Sequence, residues 1–372
     1  MSYGILPLLT AEKFESLCLD LSTGQTQLID VRAEVEFAEG SVPHSLNSPI
    51  LNTGERALVG TAYKKSGPAA AIELGQNLVS GEIREQRIQH WLQLIEKNPH
   101  TVITCFRGGL RSKITQTWLA EKGLSLPRVQ GGYKALRQFL RQQSQTFVQQ
   151  TSLLVLSGAT GSAKTRLLRE VQASLPVLDL ELAAHHRGSA FGGFATPQPG
   201  QIDFENRLSL QMLQLKTQSH NEVLIEDESR LIGRCVQTSD LFERLRASPV
   251  VLIEDSLEQR VLNTFDEYVS RAMLSSEPPQ FVFERLQKSL SGIKTRLGGL
   301  RYQEIKRDLD QCQATYTGNG DLEGNKIWIR KLLEWYYDPI YTYSLKLREP
   351  NVLFRGSYAD VQDFLQARFK SR

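Results

Sequence analysis

The sequence predicts an α/β protein built as two domains, and three observations carry that expectation. In the first 140 residues, short apolar runs alternate with helical patterns, the mark of a parallel sheet with crossover helices. Near residue 153 another apolar run leads straight into a glycine-containing loop and a further helical pattern. The chain's 372 residues exceed one ordinary core and suggest about two domains. A polar, glutamine-rich seam at 142–152 separates the patterned halves, so the domains are placed at 1–145 and 150–372.

Composition narrows the class. Hydrophobic residues make up 40% and charged residues 23%, as in ordinary soluble globular proteins. No window reaches the roughly 18 consecutive apolar residues that span a bilayer. Residues 1–9 lack the basic start and long apolar core of a signal peptide. No membrane association and a cytoplasmic location are therefore expected. Cysteines at 18, 105, 235 and 312 show no close pairing, which fits free thiols and excludes a CxxC-type metal site. A net charge of +3 permits polyanion binding without demanding it.

Taken in order, 27–31 and 101–104 read as strands, 33–38 as a short helix and 114–120 as a longer one. Directly after the second strand comes Cys105-Phe106-Arg107-Gly108-Gly109-Leu110-Arg111-Ser112. Open α/β sheets carry their sites at this end of the strands. Two glycines let the backbone curl so that several N–H groups converge, and a helix N-terminus lies behind them. Such a loop binds an anion and favours a thiolate. Cys105 is the candidate nucleophile, with Arg107, Gly108, Gly109 and Arg111 as anion ligands. A cysteine beside an apolar run is more commonly a small buried hydrophobe. The glycine pair and two arginines argue against that here.

The second half opens with a strand at 153–157, then Gly158-Ala159-Thr160-Gly161-Ser162-Ala163-Lys164-Thr165 and a helix through 171. Strand, glycine-containing turn and Lys-Thr at a helix start make a P-loop. Backbone amides from Gly158, Thr160, Gly161, Ser162 and Ala163 would cradle a diphosphate. Lys164 would reach its outer oxygens and Thr165 would ligate Mg²⁺. Ala163 stands where a glycine is usual, and in a left-handed conformation its methyl costs about 1 kcal/mol. Phosphate binding survives that cost, but nucleotide hydrolysis is put in doubt and no ATP requirement is assumed.

Residues 221–229 read as a strand ending in acids, with Glu226 or Asp227 placed to hold Mg²⁺. A third strand is expected at 250–254. Between the first two lies 184–194, with His185 and His186 adjacent. Neighbouring residues point apart in a strand and no His/Cys cluster accompanies them, so a metal site is disfavoured. A mobile loop contacting substrate phosphates through Arg187 and Ser189 is expected instead. Phe191 and Phe194 either stack on a base, line an isoprenoid tunnel or anchor the core. From Arg285 to Arg307 there are seven basic residues and one acid, Glu304. Gly292 and Gly298-Gly299 break this run into short helices. Lys294, Arg296, Arg301, Lys306 and Arg307 form either a solvated face or a surface tracking a polyanion.

Residues 28–49 combine Asp30-Val31-Arg32, Glu36-Phe37, Gly40, Pro43 and Asn47 before Pro49. This pattern, the Cys105 loop and Val129-Gln130-Gly131-Gly132-Tyr133-Lys134-Ala135 together resemble the rhodanese family. The fold expectation is thus an N-terminal rhodanese-like parallel-sheet domain plus a C-terminal P-loop NTPase-like α/β domain with a helical tail. Five residues separate Cys105 from Arg111, one more than in most rhodanese loops, as in the rhodanese-related phosphatases. The extra residue widens the ring of donors toward a phosphate-sized group.

The combination resembles the bacterial tRNA 2-selenouridine synthase family along essentially the whole chain. The matching segments are the Cys105–Ser112 loop, the Gly158–Thr165 loop, His186-Arg187-Gly188-Ser189-Ala190-Phe191-Gly192 and Glu226-Asp227-Glu228-Ser229. The resemblance implies replacement of sulfur by selenium in wobble-position 2-thiouridine of tRNA, through an S-geranylated intermediate. Geranyl diphosphate would lie in the P-loop. Selenophosphate, from a separate supplier, would pass selenium to Cys105, and the resulting Cys–Se⁻ would attack C2 of the uridine. Three alternatives remain: a P-loop kinase or ATPase with a rhodanese module, a Cys-dependent phosphatase, and a non-catalytic RNA-binding protein. Thr104, where a phosphatase would carry histidine, weakens the second.

Overall fold

The computed structural model describes residues 6–218, 220, 222–274 and 276–370. The first five residues of the 1–9 segment, and Asn221 at the start of the acid-ended strand, lie outside them. The chain divides into two compact units. One runs through Phe147 and takes back Gly200–Thr217; the other holds Val148–Pro199 and the chain from Gln218 onward.

In the first unit, β1 (Leu8–Leu9), β2 (Gln27–Asp30), β3 (Leu46–Asn47), β4 (Thr101–Thr104) and β5 (Arg128–Val129) form one sheet. Its order is β1-β5-β4-β2-β3, with every pairing parallel. Leu28, Ile29, Val102 and Ile103 are buried on both faces of this sheet, as continuous apolar strands require. The short helix forms at Glu34–Ala38 and the longer one at Leu110–Glu121.

The Asp30-Val31-Arg32 motif proves to be a clamp at the sheet's C-terminal edge. Arg32 is 1% exposed; its Nε donates to Asp30 at 2.8 Å and its guanidinium to the carbonyls of Glu36 and Gly40. The same guanidinium lies 4.0 Å from the Tyr133 ring centroid. Asn47 Nδ2 closes the turn by donating to the carbonyls of Asp30 and Arg32.

Two expectations about the domain boundary need correction. The glutamine-rich seam is not a linker, because the helix Gly132–Gln150 runs through it. Leu136, Leu140, Phe147 and Val148 bury one stripe of that helix, and the glutamines are its wet face. Nor does everything after residue 150 belong to the second unit. The helix Gln201–Thr217 packs on the first, with Leu210 and Leu213 against Cys18 and Leu140. Asp203 accepts from the Ser41 amide at 2.8 Å, Arg137 pairs with Glu205 at 2.9 Å, and Asn206 donates to the Ser41 carbonyl at 2.7 Å.

The second unit's main sheet comprises β6 (Ser152–Gly158), β7 (Val177–Leu178), β8 (Glu222–Glu226), β11 (Val250–Ile253) and β12 (Val352–Gly356). A small antiparallel pair, β9 (Leu231–Ile232) and β10 (Cys235–Val236), stands apart from it. The main sheet is parallel throughout, in the order β12-β11-β6-β8-β7, so β6 is central. The basic run breaks at its glycines into Pro279–Gly292, Lys294–Leu297 and Gly299–Asn319. These helices pack a core including Phe283, Leu297, Ile305 and Trp328. Among the described residues no helix is long and apolar enough to cross a membrane.

The clamp gives a test of stability. Arg32→Leu leaves the Asp30 carboxylate buried without its partner and should cost about 3–5 kcal/mol in urea denaturation. The double change with Asp30→Asn should recover part of that loss.

Candidate active sites

Cys105 follows β4 directly, where the chain leaves the sheet. Four of the loop's carbonyls, those of Cys105, Phe106, Gly108 and Gly109, are taken up by its neighbours. Tyr133 N donates to the Cys105 carbonyl at 2.8 Å and Lys134 N to that of Phe106 at 3.0 Å. An Arg128 guanidinium nitrogen donates to Gly108 at 2.5 Å, and Lys113 N to Gly109 at 3.1 Å. Among the described residues, no protein group accepts from the amides of Phe106, Arg107, Gly108 or Gly109. The loop therefore presents donors and few acceptors, as an anion requires.

Gly131 and Gly132 make this possible, with φ of 76° and 64°. A Cβ on Gly132 would overlap the Cys105 carbonyl and the Gly108 amide nitrogen, so only glycine allows the two turns to touch.

Arg107 is exposed, 5.8 Å from the Phe106 ring centroid. Arg111 is partly buried and held by Glu36 through two hydrogen bonds of 2.5 and 3.1 Å. Burial works to raise the Glu36 carboxyl, but the Arg111 bonds and charge, aided by Arg56, bring it below the ordinary value. Cys105 itself is only 3% exposed, and its Sγ donates to Ser112 Oγ at 3.2 Å. That hydroxyl in turn donates to the Gly109 carbonyl at 3.2 Å. The thiol thus lies beneath the loop, not on its rim. Glu36 and Ser112 were visible in the sequence as motif members, but nothing there showed what they touch.

In the second unit, β6 ends in the Gly158–Thr165 loop and the helix Lys164–Val171 follows. The helix Leu257–Phe265 ties back its carbonyls: Arg260 Nε donates to Thr160 and Asn263 Nδ2 to Gly161, both at 2.9 Å. Ala163 does take the left-handed conformation, φ 58° and ψ 29°. Ser162 is fully buried, while Lys164 Nζ turns back to donate to the Gly158 carbonyl at 2.7 Å.

The metal ligands expected around the loop need revision. Asp227 accepts from Ser157 Oγ at 2.7 Å and pairs with the buried Arg348. Arg348 also donates to the Leu245 and Arg246 carbonyls, so Asp227 is committed to holding the C-terminal segment. Glu226 instead meets Glu181 and Glu228, with oxygens from all three within 4.8 Å of one another. Thr165 Oγ1 donates to Glu181 at 2.9 Å, and the Glu181 amide donates to Glu226 at 2.6 Å. Glu181 follows β7 and is far from the other acids in sequence, so no local pattern could mark it.

Burial first, then the Glu228 charge, pushes Glu181 up to about 8, although Thr165 and Lys164 pull the other way. Burial pushes Glu228 up to about 7 against the pull of Lys164. Glu226, buried beside Glu181, Asp179 and Glu228, lies well above its ordinary value. Three hard oxygen donors that repel one another unless protonated fit a small divalent cation such as Mg²⁺.

The 184–194 loop is anchored rather than loose. Phe191 is 6% exposed and stacks on Trp328 at 5.9 Å between centroids, so it is a core residue. Arg187 pairs with Glu267 at 3.3 Å and lies 4.3 Å from the Phe194 ring. Ser189 Oγ is 2.8 Å from the Tyr268 hydroxyl. A Cβ on Gly188 would overlap the Glu228 carboxylate, which places this loop against the acidic cluster. His185 stacks on Phe194 and bonds Thr196 at 2.7 Å; neither histidine joins the carboxylates.

Among the basic residues, Lys294, Arg296, Arg301 and Arg307 are exposed, while Lys306 is paired with Asp310. Ile293 and Leu297 turn inward and present the intervening cations to solvent.

A cysteine loop with unpaired amides on one parallel sheet and a P-loop on another define a rhodanese-like domain joined to a P-loop domain. Known proteins agree. Residues 15–138 match the rhodanese-like domain, and residues 151–372 match the tRNA 2-selenouridine synthase AAA domain. The chain is 43% identical over 94% of its length to a protein named tRNA 2-selenouridine synthase from Nitrosomonas europaea, of which 96% is covered. It is 44% identical over 91% of its length to one of the same name from Bdellovibrio bacteriovorus, covering 94% of that protein. The chain belongs to the tRNA 2-selenouridine synthase family.

The acidic cluster predicts a pH dependence. Groups raised from 4.5 to about 7 and about 8 bind more protons folded than unfolded. In chelator, stability should therefore be greatest below about pH 4.5 as far as these groups act, and be lost as pH rises toward 8. Glu226→Gln should flatten that slope in thermal melts recorded across the range.

Proposed function

We propose that this protein is an enzyme that converts wobble 2-thiouridine of tRNA to 2-selenouridine through an S-geranyl intermediate. The carrying observation is the presence in one chain of two distinct anion loops, one with a cysteine beneath it and one beside three carboxylates. The named relatives, at 43% identity over 94% of this chain, support the same reading.

In the first step, the P-loop amides and Lys164 bind the diphosphate of geranyl diphosphate. Glu181, Glu226, Glu228 and Thr165 would hold Mg²⁺, which when bound neutralises charge on the departing pyrophosphate. Arg187 and Ser189 border this site through the contact of Gly188 with Glu228. Alkylation turns the thiocarbonyl sulfur into a better leaving group, since it departs as a neutral thiol. In the second step, selenophosphate binds at the Cys105 loop through the free amides of 106–109, Arg107 and Arg111. Arg107 is free to meet the anion, and Arg111 is held in place by Glu36. Lys294, Arg296, Arg301 and Arg307 would follow the tRNA backbone, with Lys306 weakened by Asp310. Both steps are group transfers, and the work belongs in the cytoplasm, where tRNA and a selenophosphate supplier meet.

The two steps separate experimentally. With geranyl diphosphate and selenophosphate supplied, Cys105→Ser should abolish selenated nucleoside while geranylated tRNA still forms, as read by nucleoside mass spectrometry. Lys164→Ala should instead block geranylation by at least tenfold. Loss of both products in folded Cys105→Ser, or full geranylation by Lys164→Ala, would break this division of labour.

A further inference from the structure

We infer that Cys105 attacks the phosphorus of selenophosphate, forming S-phosphocysteine and releasing hydrogen selenide as the selenium donor. The inference rests on the reading that selenophosphate is the substrate of this loop.

Electron bookkeeping separates the two possible attacks. Selenium in selenophosphate is already at the selenide level. For the thiolate to capture it as Cys–S–Se⁻, phosphorus would have to leave with the bonding pair, as phosphite, which is a poor leaving group. Attack on phosphorus instead lets selenium leave with that pair as HSe⁻, a much weaker base. Thiolate and hydrogen selenophosphate then give S-phosphocysteine and HSe⁻: the S–P bond forms as the P–Se bond breaks, and no external oxidant or reductant enters. Water next cleaves the S–P bond, returning thiolate and inorganic phosphate. The freed HSe⁻ adds at C2 of the S-geranylated uridine and expels geranyl thiol, which carries away the selenide proton.

The loop is built for a phosphoryl group. Five residues lie between Cys105 and Arg111, enough for a ring that surrounds three oxygens and not only one transferred atom. The amides of Phe106 to Gly109 have no protein acceptor among the described residues, while the carbonyls of Cys105, Phe106, Gly108 and Gly109 are occupied by Tyr133, Lys134, Arg128 and Lys113. Two hydrogen bonds from Arg111 to Glu36, at 2.5 and 3.1 Å, fix the guanidinium beside the loop.

Ser112 completes the arrangement. Its Oγ sits 3.2 Å from Cys105 Sγ and 3.2 Å from the Gly109 carbonyl, both contacts buried or nearly so. With a neutral thiol, S–H donates to Oγ and O–H donates to Gly109. Once sulfur is anionic, the same hydroxyl can turn and donate to it. That stabilises the thiolate both before attack and when it leaves phosphorus, which makes Ser112 a catalytic residue for both halves of the cycle.

The test uses the full chain with selenophosphate alone, quenched in acid, followed by peptide mass spectrometry and phosphorus NMR. The Cys105 peptide should gain a phosphoryl group without selenium's broad isotope envelope. Selenide should be trapped by an alkylating reagent, and orthophosphate should accumulate. Ser112→Ala should slow phosphate release about tenfold or more, the scale of a hydrogen bond to a charged group, and Ser112→Thr should restore it. A selenium envelope on Cys105, phosphite as product, or unchanged turnover in Ser112→Ala would overturn the inference. Selenated tRNA formed without any phosphocysteine also overturns it while sparing the proposed function. Failure to form selenated tRNA from selenophosphate at all sinks both.

Discussion

Both candidate sites depend on one constraint: a loop that binds an anion must keep its own carbonyls away from it. Backbone N–H groups and C=O groups come in equal number, so donors converge only if something else claims the acceptors. In the first unit the Gly131-Gly132 turn and the start of the following helix do this for Cys105 and Phe106. In the second, Arg260 and Asn263 do it for Thr160 and Gly161. Both glycines hold positive φ, and at 132 the two turns also pass too closely for a side chain.

The second site adds a problem of charge. Glu181, Glu226 and Glu228 lie close together in a poorly hydrated place, and their carboxyls hold protons at pH values where exposed acids would be ionised. Under the proposed reaction a divalent cation would take the place of those protons. Asp227, next in sequence to two members of the cluster, is withdrawn from it by Arg348. The chain leaves β8 after Glu226 and turns tightly, Glu228 N donating to the Glu226 carbonyl at 3.0 Å, while the Asp227 side chain goes to Ser157 and Arg348.

How much of this was legible in the chain differs from residue to residue. The strands at 27–30, 101–104 and 250–253 stand out as apolar runs, and the Cys105 and Gly158–Thr165 loops announce themselves because their chemistry is local. The left-handed Ala163 could be anticipated from its place in the P-loop. The glutamine-rich seam misled because its polar composition hides a helix whose buried stripe is carried there by Phe147 and Val148. The return of Gln201–Thr217 to the first unit left no mark, since its buried face would suit either core.

Sequence by itself determined the fold class, the two glycine-containing loops and the candidate nucleophile, because each is written in consecutive residues whose backbone geometry follows from their type. Tertiary structure alone decided which acids face one another, that Asp227 serves Arg348, that Glu36 holds Arg111, and that Ser112 meets the sulfur of Cys105. Those choices turn on distances between segments remote in the chain or on the direction of a side chain, and neither is encoded at any single position.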